Sequence, residues 1–156
     1  NMCAITLLYK EGYFKQRIDE DGNQTETYPK FDPYPLLDKL NLTFKLRLRN
    51  RDVFIEVYQY KYIGINGHEL PVYFLDTDCE ENFPDDQIIS LRLYSGDKDH
   101  RILQEAILGF GGMKLLDALG QDSIQKYHMN EGHCSFLVLD LLEKYQGDEK
   151  RVREQF

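Results

Sequence analysis

At 156 residues, with 42% hydrophobic residues and a formal net charge of −8, the chain has the size of one domain, enough to bury a core without metals or disulfides, and an acidic balance that opposes nucleic-acid binding. Cys3, Cys79 and Cys134 are odd in number and lack metal-ligand spacing, so they read as free thiols in a reducing compartment, and no metal is expected. No apolar run approaches membrane-span length, and Asn1-Met2-Cys3-Ala4-Ile5 lacks a signal peptide's basic flank, so a soluble, cytoplasmic protein without a membrane partner is expected.

Apolar residues 3–8 read as a buried parallel strand, which normally takes neighbours from preceding chain. The chain is therefore expected to be a piece of something longer. Asp21-Gly22-Asn23 between extended flanks predicts a hairpin, and the proline- and aromatic-rich residues 28–35 an irregular loop. Phe44, Leu46 and Leu48 alternate with Lys45, Arg47 and Arg49, Asn50-Arg51-Asp52 reads as a turn, and a second strand follows over 53–58. Asn66-Gly67 predicts a further hairpin between residues 58–65 and 70–76, which makes the middle of the chain an antiparallel meander. The basic stripe reads as its solvated face.

The apolar strand 72–75 ends in Asp76-Thr77-Asp78, with Glu80-Glu81 close behind. These carboxylates lack the glycine and terminal glutamate of an EF-hand loop and read as turn and capping groups. Asp85-Asp86 open a helix-like stretch to Leu93, and Asp99 starts a long amphipathic helix through Ile102, Leu103, Ala106, Ile107, Phe110, Leu115, Leu116 and Leu119 to Gly120. Gly109-Phe110-Gly111-Gly112 lies inside that helix, not at a strand-to-helix turn, so it reads as close helix packing rather than a phosphate loop. The charged residues 146–156 are expected to fray.

The candidate site is Tyr127-His128-Met129-Asn130-Glu131-Gly132-His133. Residues 125–129 are extended-compatible, while Phe136, Leu139 and Leu142 recur at helical spacing, so the string reads as a strand-to-helix junction, where α/β proteins usually place their chemistry. Asn130 would cap the helix and Glu131 would occupy its first turn, near the positive end of the dipole. The same residues also fit an ordinary capped helix with a partly buried histidine. Cys134 follows His133 directly, and adjacent residues on a helix diverge, which weakens a Cys–His nucleophile reading.

Gly12-Tyr13-Phe14-Lys15-Gln16-Arg17-Ile18-Asp19, Leu75-Asp76-Thr77-Asp78, Arg92-Leu93-Tyr94-Ser95-Gly96-Asp97-Lys98-Asp99-His100-Arg101 and His128-Met129-Asn130-Glu131-Gly132-His133, in this order, resemble the alpha-glucan phosphorylases, in particular the shorter glycogen and maltodextrin phosphorylases of bacteria and archaea. The resemblance implies an α/β fold: part of the Rossmann-like N-terminal domain of a two-domain B-type glycosyltransferase, with an inserted antiparallel β meander. It makes residues 1–156 a fragment of that catalytic domain. It also implies cleavage of a terminal α-1,4-linked glucose by inorganic phosphate, giving glucose 1-phosphate with retained configuration, and a pyridoxal phosphate cofactor whose phosphate relays a proton. By the same resemblance Glu131 and His133 are catalytic-site residues that help shape the glucosyl and phosphate pocket. Asn130, Arg101 and the gate-loop residue Asp97 bind substrate, and Gln104 and Glu105 hold their helix in place. The family's glycine-rich phosphate loop and its cofactor lysine have no counterpart in these residues, and the gate loop is shorter than in the animal enzymes. No turnover and no bound cofactor are therefore expected of the chain alone, and self-association through an exposed apolar edge is expected.

Two other readings fit the composition. Eleven tyrosines and nine phenylalanines would suit a non-catalytic carbohydrate-binding or regulatory module. Asp76, Asp78 or Glu131 could supply a carboxylate-pair hydrolase, which needs two carboxyl groups about 5–9 Å apart.

Overall fold

Alternation of apolar and polar residues through the middle of the chain builds one mixed sheet, seen in a computed structural model that describes residues 2–93 and 96–156. β1 (Ala4–Leu7) pairs in parallel with β6 (Glu69–Asp76), β6 pairs antiparallel with β5 (Arg51–Ile63), and β5 pairs antiparallel with β4 (Asp38–Leu48), in the order β1-β6-β5-β4. β2 (Lys15–Ile18) and β3 (Gln24–Thr27) form the separate hairpin expected around Gly22. The parallel first strand and the β4-β5-β6 meander are thus present, and the fold is mixed α/β.

One face of the sheet carries Val53, Ile55, Val57, Tyr73, Leu75 and Leu7, all buried against a helical layer. That layer begins with α1 (Pro84–Gln87), much shorter than the stretch expected to reach Leu93, and continues through α2 (Lys98–Ala106), a π turn (Ile107–Gly111) and α3 (Gly112–Ala118). α4 (Leu137–Lys144) and α5 (Glu149–Arg153) complete it. The tail does not fray. Val152 is buried in a cluster with Leu137 and Leu141, and the Tyr127 N–H donates to the Gln155 carbonyl at 2.7 Å, so one apolar anchor and one backbone bond fix a segment in which about half the residues are charged.

The turn between β4 and β5 sits one residue earlier than expected. Arg49 and Asn50 take left-handed φ of 49° and 62°, and Arg51 already belongs to β5. The reason is long-range: the Arg51 guanidinium grips buried Asp86 in a bidentate pair, Nε to Oδ2 at 2.6 Å and Nη2 to Oδ1 at 2.8 Å. The basic stripe is solvated as expected, with Lys45 and Arg47 both paired to Asp52.

The glycines inside the long helix coincide with its π turn, a local widening of the helical ladder. A Cβ on Gly109 would lie 2.8 Å from the Leu137 nitrogen and 2.8 Å from the Phe136 Cβ, so the glycine lets α4 start directly against the turn. Alanine normally stabilises a helix interior by about 1 kcal/mol over glycine. Here Gly109→Ala is expected to destabilise by about 1–3 kcal/mol through overpacking, read from urea unfolding midpoints. A variant as stable as the parent would exclude this packing role.

Candidate active site

The strand-to-helix string takes a shape the sequence does not announce. Residues 125–129 pair with no strand among the described residues, and α4 starts at Leu137 with Phe136 in the capping position, so Asn130 caps no helix and Glu131 lies outside the first turn. Residues 131–136 form successive turns, and Glu131 has a left-handed φ of 59°. This backbone explains the side-chain geometry. Residues two apart do not face each other on a regular helix. Here Glu131 Oε2 lies 3.1 Å from His133 Nε2, with the imidazole 19% exposed and the carboxylate 65% exposed.

His133, Asn130 and His128 line a cavity of about 610 Å³ whose other walls are residues 2–6 of the β1 segment and apolar side chains including Leu108, Met113 and Leu116. Cys134 shares this lining, but burial pushes its thiol up, the opposite of what a nucleophilic thiolate requires.

Arg101 and Asp97 stand elsewhere, at the start of α2, and do not line this cavity. Asp97 Oδ1 accepts the His100 N–H at 2.9 Å as the helix cap, and the half-exposed Arg101 pairs with Glu105 at 3.2 Å. Gln104 is buried and donates to the carbonyls of Ile89 and Arg92, both at 2.8 Å, tying α2 to the segment before it. Of the gate-loop string, Tyr94 and Ser95 lie outside the described residues.

Two polar constellations escaped sequence reasoning. Asp76, fully buried at the end of β6, meets Lys10 Nζ at 3.1 Å and accepts from the Tyr34 hydroxyl at 2.7 Å and the Ser90 hydroxyl at 3.0 Å. Lys10 also binds Asp78 at 2.6 Å, and the Asp78 N–H donates back to Asp76 at 3.0 Å, the local turn that was expected. Burial, then Asp76, raises the Tyr34 phenol far above its ordinary value. The available signal was topological: parallel β1 and β6 end on the same side, so the residues after each must meet. The second constellation centres on buried Glu11, which pairs with Arg92 and with Lys30 at 3.2 Å, while Arg92 lies 3.9 Å over the Tyr28 ring. Among the described residues no group of three or more histidine, cysteine or carboxylate side chains is arranged to hold a metal ion, and no helix is long and apolar enough to cross a membrane.

No family model matches the chain. Curated relatives do. The chain is 41% identical over 142 residues to a maltodextrin phosphorylase of Thermococcus litoralis, a match covering 86% of this chain. It is 34% identical over 165 residues to a glycogen phosphorylase of Mycobacterium tuberculosis, covering 94% of this chain, and 35% identical over 167 residues to a glycogen phosphorylase of Aquifex aeolicus, covering 98%. The chain belongs to the alpha-glucan phosphorylase family, as a partial segment. It spans only 16%, 18% and 23% of those three relatives.

In this phosphorylase segment the Glu11 cluster carries a pH signature. Burial alone would raise the Glu11 carboxyl, but the hydrogen bonds and charges of Arg92 and Lys30 outweigh it and hold the group below its ordinary value of 4.5. A carboxyl whose folded pKa is depressed contributes stability that is present above the unfolded value and is lost as pH falls through the folded one. Melting temperatures measured from about pH 7 to about pH 3 are therefore expected to fall below 4.5, and Glu11→Gln to lower the neutral-pH value and flatten that fall. A variant whose profile runs parallel to the parent's would exclude the role.

Proposed function

We propose that residues 1–156 are part of the N-terminal catalytic domain of an alpha-glucan phosphorylase, a Rossmann-like domain carrying the β meander as an insertion. The carrying observation is the 34–41% identity, over most of the chain, to proteins named as maltodextrin and glycogen phosphorylases. The parallel β1/β6 pair supports the Rossmann-like reading. The proposed reaction cleaves a terminal α-1,4-glucosyl unit with inorganic phosphate. A phosphate oxygen bonds to the anomeric carbon, the bond from that carbon to the departing glucan oxygen breaks, and that oxygen takes a proton, leaving glucose 1-phosphate with retained configuration.

In that reaction Glu131 and His133 shape the glucosyl and phosphate pocket, the carboxylate fixing the imidazole through their 3.1 Å contact. The Asn130 amide, both donor and acceptor, suits sugar hydroxyls, and the Arg101 guanidinium suits phosphate. Asp97 accepts from a sugar hydroxyl. Substrate contacts from Arg101 and Asp97 require exchange of their present partners, Glu105 and the His100 N–H.

Pyridoxal phosphate, which the family resemblance implies, would supply an acid/base phosphate beside the substrate phosphate. The residues here do not fit it. Lys126, the lysine on the cavity, donates its amine to the Glu154 carbonyl at 2.8 Å, and the remaining wall is largely apolar.

A second reading, glucan binding without catalysis, is favoured by one observation: exposed Tyr13, Phe31 and Tyr60 line a separate groove of about 570 Å³. Calorimetry of the chain with maltoheptaose separates the two, since saturable heat supports the module and silence fits a part-site.

The polypeptide carrying this segment is expected to release glucose 1-phosphate from maltodextrin and phosphate, the 156-residue chain alone to release none. In that polypeptide His133→Ala is expected to lower turnover about 100-fold. Absence of product from the longer polypeptide would overturn the assignment.

A further inference from the structure

We propose that Glu11 is a positioning residue for Arg101: through Arg92 and Gln104 it fixes the seat of α2, and so sets where the first turn of that helix presents its guanidinium to the substrate phosphate. The role of Arg101 rests on the phosphorylase reading above, whereas the clamp itself rests on geometry.

Gly12 and Arg92 open two of the strings that carry the family resemblance, and the proposed chemistry uses neither residue. The fold brings them together. The chain leaving β1 runs between two other stretches, with Glu11 bridged antiparallel to Lys30 and parallel to Arg92. The Lys10 and Glu11 N–H groups both donate to the Leu91 carbonyl, at 3.0 and 3.1 Å, and the Gly12 N–H donates to the Pro29 carbonyl at 2.7 Å. A Cβ on Gly12 would lie 3.0 Å from the Pro29 Cγ, so the glycine permits this approach. The Glu11 side chain is thereby held inside, 4% exposed, where a carboxylate needs charged partners. Its Oε2 meets both Nε and Nη2 of Arg92, and its Oε1 meets the Lys30 ammonium at 3.2 Å. The Tyr28 ring covers the face of the same guanidinium. Side chain and backbone of the 91–92 stretch are therefore both fixed from the exit of β1.

Arg92 in turn holds α2. Its carbonyl accepts from the buried Gln104 amide at 2.8 Å, and the same amide donates to the Ile89 carbonyl at 2.8 Å. Leu103 and Gln104 are the first buried side chains of the helix, whereas Asp97, Lys98, Asp99, Arg101 and Ile102 are exposed. The helix is gripped from its second turn onward, and its first turn projects. Arg101 stands three residues before Gln104, about 4.5 Å along the axis, so a shift at the grip is carried to Arg101 by a rigid helical turn. To reach an anion Arg101 must leave Glu105, and its reach is then set by where that turn points. Positioning groups of this kind matter because a displacement of about 1 Å can cost about 100-fold in rate.

Steady-state phosphorolysis by the polypeptide carrying this segment tests the proposal, with amide hydrogen exchange as a second readout. Glu11→Gln keeps the shape of the side chain and removes its charge. The variant is expected to raise the KM for inorganic phosphate about 10-fold while the KM for maltodextrin stays within about twofold. Exchange of the Arg101, Ile102 and Leu103 amides is expected to quicken about 10-fold. In an Arg101→Gln background the same change is expected to leave the phosphate KM unmoved, because its effect runs through Arg101. A Glu11→Gln variant that melts earlier but keeps the parent's phosphate KM at a temperature where it is folded would overturn the positioning role and leave the phosphorylase reading standing. An effect of equal size in the Arg101→Gln background would overturn it as well. Absence of glucose 1-phosphate from the unsubstituted polypeptide would refute the phosphorylase reading and the positioning role together.

Discussion

The fold depends on neutralising one carboxylate. Asp76 is fully buried at the end of β6, and an isolated charge there would cost several kcal/mol. Lys10, Tyr34 and Ser90 come from three separate stretches of chain to meet it, so satisfying this single group draws together the exit of β1, the loop before β4 and the segment after α1. Neighbouring bonds extend the constraint. The Thr77 N–H donates to the Ser90 hydroxyl at 3.1 Å, and the Asn82 amide donates to the carbonyls of Phe54 and Thr77 at 2.8 and 2.7 Å while accepting the Phe54 N–H at 2.8 Å. Cys79 lies in the same knot, its thiol pushed up to about 12 by burial and by the acidic neighbours Glu56 and Asp76, which makes it an inert packing group.

The candidate site depends on a second constraint, the close approach at Gly109. Because no Cβ stands there, Phe136 and Leu137 press directly on the π turn, and this contact fixes where α4 begins. The chain between residue 130 and that fixed start is too short for another helix layer and turns tightly instead, placing Glu131 at positive φ and folding its carboxylate back onto His133. The histidine–carboxylate pair thus follows from helix packing some twenty residues upstream in sequence.

Legibility followed locality. The hairpins at Gly22 and Gly67, the β4-β5-β6 meander and the parallel first strand were readable because alternation and turn residues encode them within a few positions. Where a distant partner decides the outcome, the local pattern points elsewhere. Asp86 draws Arg51 into β5 and shifts the preceding turn, and Val152 anchors a tail whose charges suggested fraying. Asp76 finds Tyr34 across 42 positions of sequence. At the site, the pairing of Glu131 with His133 lay in plain sight as residue types, but its geometry did not, because a left-handed glutamate is not signalled by any pattern of neighbours.

The two ends of the sheet's short side are therefore unlike. Where β1 and β6 finish, charges and hydroxyls from inside the chain close the polar account, and no buried side-chain nitrogen or oxygen among the described residues lacks a partner. Along the free edge of β1 the opposite holds, since the strand is bonded to β6 on one side only and residues 2–6 border a largely apolar cavity on the other. Side-chain networks of the first kind let a segment hold its own core, because every partner is carried within it. A strand edge cannot be satisfied that way, because its partners must repeat at backbone spacing. The cavity beside His133 is thus walled on one side by the open edge of β1, whereas the polar end of the sheet is held by partners from within the chain.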